Sequence, residues 1–210
     1  MDSEQEILLN EGRLLPLMEE FYSLQGEGFH TGRAAYFARI GGCDVGCHWC
    51  DSKESWNAEK FPLVSADAII RNAASREAKS IVITGGEPLL YNLDYLSKGL
   101  HREGIMTFLE TSGSSSLSGE WDWICLSPKK DTSPLPEILL MANELKVIIE
   151  EQNDFFWAEE NASQVSSGCI LFLQPEWSRR ETVIPAIVEY IQHHPQWRIS
   201  LQSHKYMRIP

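Results

Sequence analysis

The sequence has no long uninterrupted apolar segment. No hydrophobic run approaches the roughly 20 residues that a helix needs to span a bilayer. The opening residues, MDSEQEILLNEGRLLP, also lack the basic region followed by an apolar stretch that is typical of a secretory signal. We therefore expect no membrane association and a cytoplasmic location.

Positive charge is scarce. Eighteen Lys and Arg stand against 30 Asp and Glu, which gives a net charge of −12. Proteins that bind duplex nucleic acid usually present a basic patch that replaces phosphate counterions. A small local patch can occur in an acidic chain, but the balance favours a small-molecule substrate and no nucleic-acid partner.

Domain-linker signals and a spread-out cysteine framework are also missing. The most loop-like segment, Ser112–Gly119, is too short for a convincing linker, and no internal repeat is present. We therefore expect residues 1–210 to form a single domain.

Of the five cysteines, three fall within eight residues, a clustering that indicates metal or catalytic chemistry rather than disulfides.

Strand-like and helix-like segments alternate along the chain. Seven short strands are predicted at Ala35–Ile40, Ser80–Thr84, Met106–Glu110, Trp123–Ser127, Leu145–Ile149, Cys169–Gln174 and Trp197–Leu201. Helices are predicted at Ser65–Lys79, Asn92–Gly104, Leu135–Asn143, Asp154–Gln164 and Thr182–His193, with Ser65 and Asn92 as N-caps. Strands separated by helices imply a parallel sheet. Because a full barrel has eight strands, the prediction is an α/β fold of the shortened, incomplete (β/α) TIM-like barrel type.

Polar residues follow five of these strands. The clusters are Thr84–Glu87, Glu110–Gly113, Ser127–Lys129, Gln174–Pro175 and Gln202–His204. Loops are polar in any protein, so a single cluster says little. However, the carboxyl ends of parallel strands meet on one face, where active sites form. Five clusters on one face therefore predict a site.

The cysteine cluster has the spacing C-x3-C-x2-C, formed by Cys43, Cys47 and Cys50. Thiolates favour zinc or iron–sulfur centres, and a structural zinc site needs four ligands. His48, or Cys125 and Cys169, would be the available fourth ligands, although both cysteines lie in apolar strands and are expected to pack in the core. A cubane held by three cysteines instead leaves one iron open to a cofactor or substrate.

The motif resembles the signature of the radical S-adenosylmethionine (SAM) superfamily, including Trp49 before the last cysteine. Thr84–Pro88 (TGGEP) is similar to the superfamily's GGEP motif. The resemblance implies a [4Fe–4S] cluster on Cys43, Cys47 and Cys50, with SAM bound at the unique iron. The GGEP backbone and glutamate would contact the SAM amino group.

A narrower resemblance covers nearly the whole chain. It is similar to the 7-carboxy-7-deazaguanine synthase family of the queuosine pathway, on the following motifs: Phe21–Gly28, Gly32–Arg39, Cys50–Ser52, Glu110–Gly113, Ser127–Lys129, Gln174–Trp177 and Gln202–Pro210. This implies a lyase that converts 6-carboxy-5,6,7,8-tetrahydropterin to 7-carboxy-7-deazaguanine with loss of ammonia. It also implies SAM and Mg²⁺ as cofactors, a flavodoxin or ferredoxin as reductant, and a homodimer.

The resemblance assigns roles by position. SAM would be lined by Trp49, Cys50, Asp51, Gly86, Ser127, Pro128, Lys129, Gln174, Pro175, Glu176 and Trp177. The pterin would be held by Leu24, Gln25, Gly26, Arg39, Thr84 and Pro210. The candidates for proton transfer or substrate contact are Glu27, Glu110 and His204.

Residue chemistry supports several of these roles, and each has a plainer alternative. An arginine such as Arg39 suits a carboxylate through parallel charge-assisted hydrogen bonds, but it also forms surface ion pairs. Gln25 can pair with a pterin edge. Glu27 can instead cap a turn and His204 can be an exposed tail residue. Glu110 is as well explained by an ion pair with Lys146.

The expected Mg²⁺ position shows a departure from the family, because Ser52 replaces its threonine. Magnesium prefers hard oxygen ligands, and a serine hydroxyl supplies one. Binding is therefore expected to survive with weaker affinity. Mg²⁺ would bridge Ser52 to the substrate carboxylate.

Two other functions share part of the pattern. An activating enzyme for a glycyl-radical protein would carry the same cluster and GGEP motifs, but the Leu24–Gly28 segment and the C-terminal motif would be unexplained. An electron carrier or zinc module would need a fourth protein ligand. Open sheet edges and seven tryptophans favour a dimer for any of these.

Overall fold

The computed structural model describes residues 3–210. Within this range the strands are β1 (Leu14–Leu24), β2 (Ala34–Ile40), β3 (Leu63–Ser65), β4 (Ser80–Gly85), β5 (Met106–Thr111), β6 (Trp123–Leu126), β7 (Glu144–Ile149), β8 (Ile170–Pro175) and β9 (Trp197–Ile199). The helices are α1 (Ser3–Asn10), α2 (Ala66–Ala74), α3 (Asp94–Arg102), α4 (Pro136–Met141), α5 (Asp154–Ala162), α6 (Arg180–His193) and α7 (Ser203–Met207). Short 3-10 helices lie at Lys53–Trp56, Ala58–Lys60, Pro88–Leu90 and Trp177–Arg179.

The strands form one sheet in the order β3-β1-β2-β4-β5-β6-β7-β8-β9. All neighbours from β2 to β9 are parallel, whereas β1 pairs antiparallel with both β2 and β3. The sheet is not closed, because β3 and β9 remain as edges. The predicted incomplete α/β barrel is therefore confirmed. None of the helices in the described part of the chain is long and apolar enough to cross a membrane.

The prediction of seven strands in a purely parallel sheet is wrong at the N-terminal side. It missed β1 and β3, which form an antiparallel edge, and it assigned no strand to Phe21–Leu24, the residues that end β1. Pro16 and a register shift between Leu17 and Glu19 interrupt the two-residue alternation of β1. That interruption hid the strand from a periodicity analysis.

Four of the five predicted helices are shorter than predicted, whereas α6 begins two residues earlier, at Arg180. Ser65 caps α2 as expected, with its hydroxyl accepting from the Ala68 amide at 3.3 Å. Asn92 does not occupy the cap position of α3, which begins at Asp94 after Leu93, although its side chain accepts from the Asp94 amide. Helices α1 and α7 were not predicted, since neither buries a residue that would give an apolar period.

The two faces of the sheet serve different purposes. Alternate residues of β5 and β7, such as Leu109, Leu145 and Val147, are fully buried against the helices. The intervening residues, including Glu110 and Lys146, face the concave side of the sheet, where the main cavity lies. Because strand residues point alternately to opposite faces, one strand both packs the core and supplies the cavity.

We expect Leu109→Ala to lower the free energy of unfolding by about 2–5 kcal/mol, because it empties a site that is 0% exposed in the centre of the core. Urea denaturation measures the change. Leu140→Ala is the matched control, since Leu140 is 65% exposed on α4 and surface changes usually stay within about 0.5 kcal/mol. Equal destabilisation by the two substitutions would contradict the assigned core.

Candidate active site

The three clustered cysteines lie on the loop that follows β2. Cys43, Cys47 and Cys50 are free thiols, all partly buried, and all three line the same cavity. Burial raises the pKa of Cys47, and the neighbouring Lys129 opposes this rise. The loop therefore presents three thiol ligands to one enclosed space.

This cysteine loop is fastened to the loop after β4. The Gly86 amide donates to the Ile40 carbonyl at 3.0 Å, and the Glu87 amide donates to the Gly42 carbonyl at 2.8 Å. A Cβ atom on Gly86 would lie 2.1 Å from the Gly42 oxygen, so only glycine permits this approach. The two motifs recognised in the sequence are thus held together by backbone hydrogen bonds.

Glu87 of the GGEP motif faces the scaffold rather than the cavity. Its carboxylate is 1% exposed and accepts from the Thr111 hydroxyl at 2.6 Å and from the Ser112 amide at 2.8 Å. It also accepts from the Ser112 hydroxyl and the Leu89 amide. The expectation that this glutamate contacts SAM is not supported by its position, because its oxygens hold the loop after β5.

One cavity of about 280 Å³ gathers nearly all the predicted site residues. It is lined by Leu24, Gln25, Gly26, Glu27, Arg39, Cys43, Cys47, Trp49, Cys50, Asp51, Ser52, Thr84, Gly86, Glu110, Ser127, Lys129, Gln174, Pro175, Glu176, Trp177, His204 and Pro210. Pro128 does not line it. The strand-end clusters therefore converge, as the parallel topology requires.

An ion-paired triad lies at the base of the cavity. The ammonium of Lys146, on β7, is 2.7 Å from Glu27 and 2.9 Å from Glu110. Burial alone would raise the pKa of Glu27, but Lys146 and Gln202 lower it to about 2. Burial would lower the pKa of Lys146, and the acidic groups around it instead raise it well above its usual value. Glu27 and Lys146 are therefore charged at neutral pH. The ion pair between Glu110 and Lys146, named as the plainer alternative for Glu110, is present in the structure.

The C-terminal helix α7 closes one side of the cavity. The Lys205 ammonium donates to Asp51 at 2.6 Å, and Gln202 donates to Glu27 at 2.9 Å. A Cβ atom on Gly26 would lie 2.1 Å from the His204 ring, so the two segments are in close contact. His204 is partly buried rather than an exposed tail residue, and burial lowers its pKa.

Arg39 and Ser52 lie beside each other at the mouth. The Arg39 guanidinium forms an ion pair with Glu19 at 2.7 Å and approaches the Ser52 hydroxyl at 3.5 Å. The Arg39 Nε–H donates to Glu19 and Nη1 donates to the Ser52 hydroxyl, and the other N–H groups of the guanidinium are those available to a ligand in the cavity. Both the surface ion pair and a ligand-binding role are compatible with this position.

The three residues considered as a fourth cluster ligand, His48, Cys125 and Cys169, do not line the cavity that holds the clustered cysteines. The His48 ring is 3.0 Å from Glu150 and largely exposed. Cys125 is buried near Glu144, and Cys169 packs against the core. Within residues 3–210 no three His, Cys, Asp or Glu side chains converge on one point as a single metal ion requires. A cubane needs no such convergence, because each thiolate binds a different iron.

Several cavity residues received no role from the sequence. They include Phe21, Phe37, Trp56, Gln202 and Lys205, and Lys146 was named only as an ion-pair partner of Glu110. Lys146 interrupts the apolar run of β7, and a charged residue in a buried strand is a signal of function or pairing. The aromatic residues carried no signal, since core packing explains an aromatic side chain equally well.

The donor set fits the cofactors that the motifs imply. Three free thiols on one cavity suit an iron–sulfur cluster with one open iron. The same cavity offers Trp49, Ser127 and Lys129 beside these thiols, with the Lys129 ammonium 5.7 Å from the Trp49 ring centre. Polar, cationic and aromatic groups of this kind match the carboxylate, amine and adenine of SAM.

Comparison with known proteins agrees with this site. The model of the radical SAM superfamily matches residues 38–124. A 7-carboxy-7-deazaguanine synthase of Flavobacterium psychrophilum is 54% identical over 100% of both chains. One from Synechocystis sp. is 47% identical over 92% of this chain and 93% of its own.

A solved structure gives the same result for the fold. The crystal structure of QueE from Escherichia coli matches with a TM-score of 0.83 and 28% identity, covering 97% of this chain and 100% of that chain. Sequence, fold and the placement of the three cysteines therefore agree: the chain belongs to the 7-carboxy-7-deazaguanine synthase family of the radical SAM superfamily.

Proposed function

We propose that this chain is a radical SAM lyase that converts 6-carboxy-5,6,7,8-tetrahydropterin to 7-carboxy-7-deazaguanine with release of ammonia, in the queuosine pathway. The observation that carries the proposal is the placement of three free, partly buried thiols on a single cavity. Full-length relatives that bear the name of this synthase support the choice of reaction.

Cys43, Cys47 and Cys50 would hold the [4Fe–4S] cluster, and the loops around them would bind SAM. The bound cluster and SAM supply the radical chemistry that starts the reaction. The protein's part is to orient SAM and exclude water, through Trp49, Cys50, Asp51, Gly86, Ser127, Lys129, Gln174, Pro175, Glu176 and Trp177. Pro128 does not line the cavity, and no contact with SAM is assigned to it.

The pterin occupies the space between β1, β2 and α7. Arg39 binds its carboxylate with the N–H groups that Glu19 leaves free. The Gln25 amide faces the heterocycle and is oriented by Glu110, to which it donates at 3.3 Å. Leu24, Gly26, Thr84 and Pro210 complete the surface that holds the ring.

The three candidates for proton transfer have different roles. Glu27 has a pKa of about 2 and is therefore a carboxylate at any working pH, so it accepts hydrogen bonds and donates none. Because burial lowers the pKa of His204, its ring is neutral near pH 7 and able to accept a proton. We assign His204 as the base, with Glu27 and Glu110 as substrate-contacting carboxylates.

Ser52 is the residue that would hold Mg²⁺, and Arg39 lies beside it. The Ser52 hydroxyl lies 3.5 Å from Arg39 and 3.4 Å from an Asp51 oxygen, so it is surrounded by polar atoms. Magnesium takes oxygen ligands and keeps several waters, which suits one hydroxyl at a cavity mouth. The metal acts as an electrostatic clamp on the substrate.

The remaining assignments concern the wider context. Residues 1–210 act as one radical SAM domain, a homodimer is the working form, and a flavodoxin or ferredoxin supplies electrons. We place the enzyme in the cytoplasm, where a reducing environment keeps thiols available for an iron–sulfur cluster.

The deciding experiment is anaerobic turnover of the reconstituted protein with SAM, Mg²⁺ and the carboxytetrahydropterin. We expect formation of a new ultraviolet-absorbing product and release of one ammonia per product. Any formation of 5′-deoxyadenosine should depend on the pterin. A reaction without pterin is the control. Absence of product from a protein that holds its full cluster would refute the proposed function.

Replacing Cys47 with alanine should abolish cluster binding, because two remaining thiolates do not hold a cubane with an open iron. Iron and sulfide analysis after anaerobic reconstitution measures the loss. Cys169→Ala is the control and should retain full iron, since Cys169 packs against the core away from the cavity. Equal iron in both variants would remove Cys47 from the ligand set.

Ser52→Ala should abolish the stimulation of turnover by Mg²⁺, because it removes the only hydroxyl assigned to the metal. Ser52→Thr should reduce the Mg²⁺ concentration needed for half-maximal stimulation, since a β-branched side chain has a more restricted χ1 rotamer. Titration of activity with Mg²⁺ after chelation measures both. An unchanged titration curve in Ser52→Ala would exclude this residue as the ligand.

A further inference from the structure

Lys146 is a charged residue in the middle of an apolar strand. It lies on β7 between Leu145 and Val147, is 4% exposed, and its ammonium contacts two carboxylates at once. Burying an ammonium is costly unless it is paired. The strand sequence alone, with leucine, valine and isoleucine around it, offers no packing reason for a lysine here.

The first carboxylate continues to the Gln25 side chain. Glu110 accepts from the Lys146 ammonium through one oxygen and from the Gln25 amide nitrogen through the other, at 3.3 Å. The Gln25 amide oxygen in turn accepts from the Glu27 backbone N–H at 3.2 Å. Because a carboxylate only accepts, Glu110 determines which end of the Gln25 amide is the donor.

The second carboxylate continues to α7 and the cysteine loop. Glu27 accepts from Lys146 through one oxygen and from Gln202 through the other, at 2.9 Å. Gln202 also accepts from Lys205, whose ammonium reaches Asp51 beside the third cysteine. One ammonium thus lies at the junction of three segments that border the cavity: the loop after β1, strand β5, and the residue that precedes α7.

We propose that Lys146 is a positioning residue of this site: as shared counterion of Glu27 and Glu110 it orients the Gln25 amide and holds α7 against the cavity. It touches neither substrate nor cofactor in this role. The inference rests on the proposed function, because it names the pterin as the ligand whose binding depends on Gln25.

Charge balance explains why one lysine serves both carboxylates. Two facing carboxylates without a cation would repel each other in a buried site, and one of them would be protonated or displaced. Other ionisable groups near the triad include Cys125, Lys129, Glu144, His204, Asp51 and His30. Glu144 and Asp51 are carboxyl groups and add no positive charge, and the Lys205 ammonium is paired with Asp51. The Lys146 ammonium is within ion-pair distance of both Glu27 and Glu110.

The test is Lys146→Met, which keeps the length of the side chain and removes its charge. We expect kcat/KM for the pterin to fall about 100-fold, the loss that an ångström of misplacement causes. Most of it should appear as a raised KM, because the lost orientation weakens binding before the chemical step. Lys98→Met, on the exposed face of α3, is the matched control and should leave both constants unchanged. A normal KM in a folded Lys146→Met protein would overturn the proposal.

A second measurement does not depend on activity. The free energy of unfolding is measured for Lys146→Met, Glu110→Gln and the double variant. If Lys146 acts as a counterion, the double variant loses less stability than the sum of the single losses, since it removes the carboxylate together with its cation. Additive losses would mean that Lys146 acts only through the packing of its stem, and would also overturn the proposal.

The double variant covers the case in which Lys146→Met does not fold. The double variant should fold, since the two carboxylates no longer face each other without a cation. Its affinity for the pterin should remain low, because Gln25 has lost the charged acceptor that orients its amide. A crystal structure would show a rotated Gln25 amide, and an unmoved amide would contradict the assigned role. If the wild-type protein does not convert the pterin, the proposed function fails, whereas the unfolding measurements still decide the role of Lys146.

Discussion

The site depends on one constraint, the parallel pairing of the strands from β2 to β9. Parallel strands bring their carboxyl ends to one edge, so the loops after β2, β4, β5, β6 and β8 all open onto the same cavity. The cysteine loop and the GGEP loop are neighbours because β2 pairs with β4. Without that pairing, residues far apart in the chain would not form a cofactor site.

Two buried charged side chains in this fold, Glu87 and Lys146, bind other protein groups near the cavity. Glu87 is committed to Thr111 and Ser112, and so aligns the loop after β5 with the cysteine loop. Lys146 is committed to Glu27 and Glu110 beneath the ligand space. A buried charge is stable only when it is paired. The pairs that Glu87 and Lys146 form therefore fix the positions of the side chains around the cavity before a ligand binds.

Much of the fold was predictable because seven strands carry short, β-branched or apolar runs between helical segments. Strand β1 was not, because Pro16 and a bulge disturb its alternation. Strand β3 was not, because three residues are too few to show a period. Helix α7 contains no buried residue, so its position against Gly26 follows from tertiary contacts alone.

Local sequence by itself predicted the candidate cluster ligands, since the spacing of Cys43, Cys47 and Cys50 and the GGEP motif are properties of short segments. It also determined the face on which the site forms, because polar residues follow the strands. Only the tertiary structure decided which carboxylates are paired and which way they point. Ion pairs such as Lys146 with Glu27 join residues more than a hundred positions apart, and no local pattern records a contact of that range.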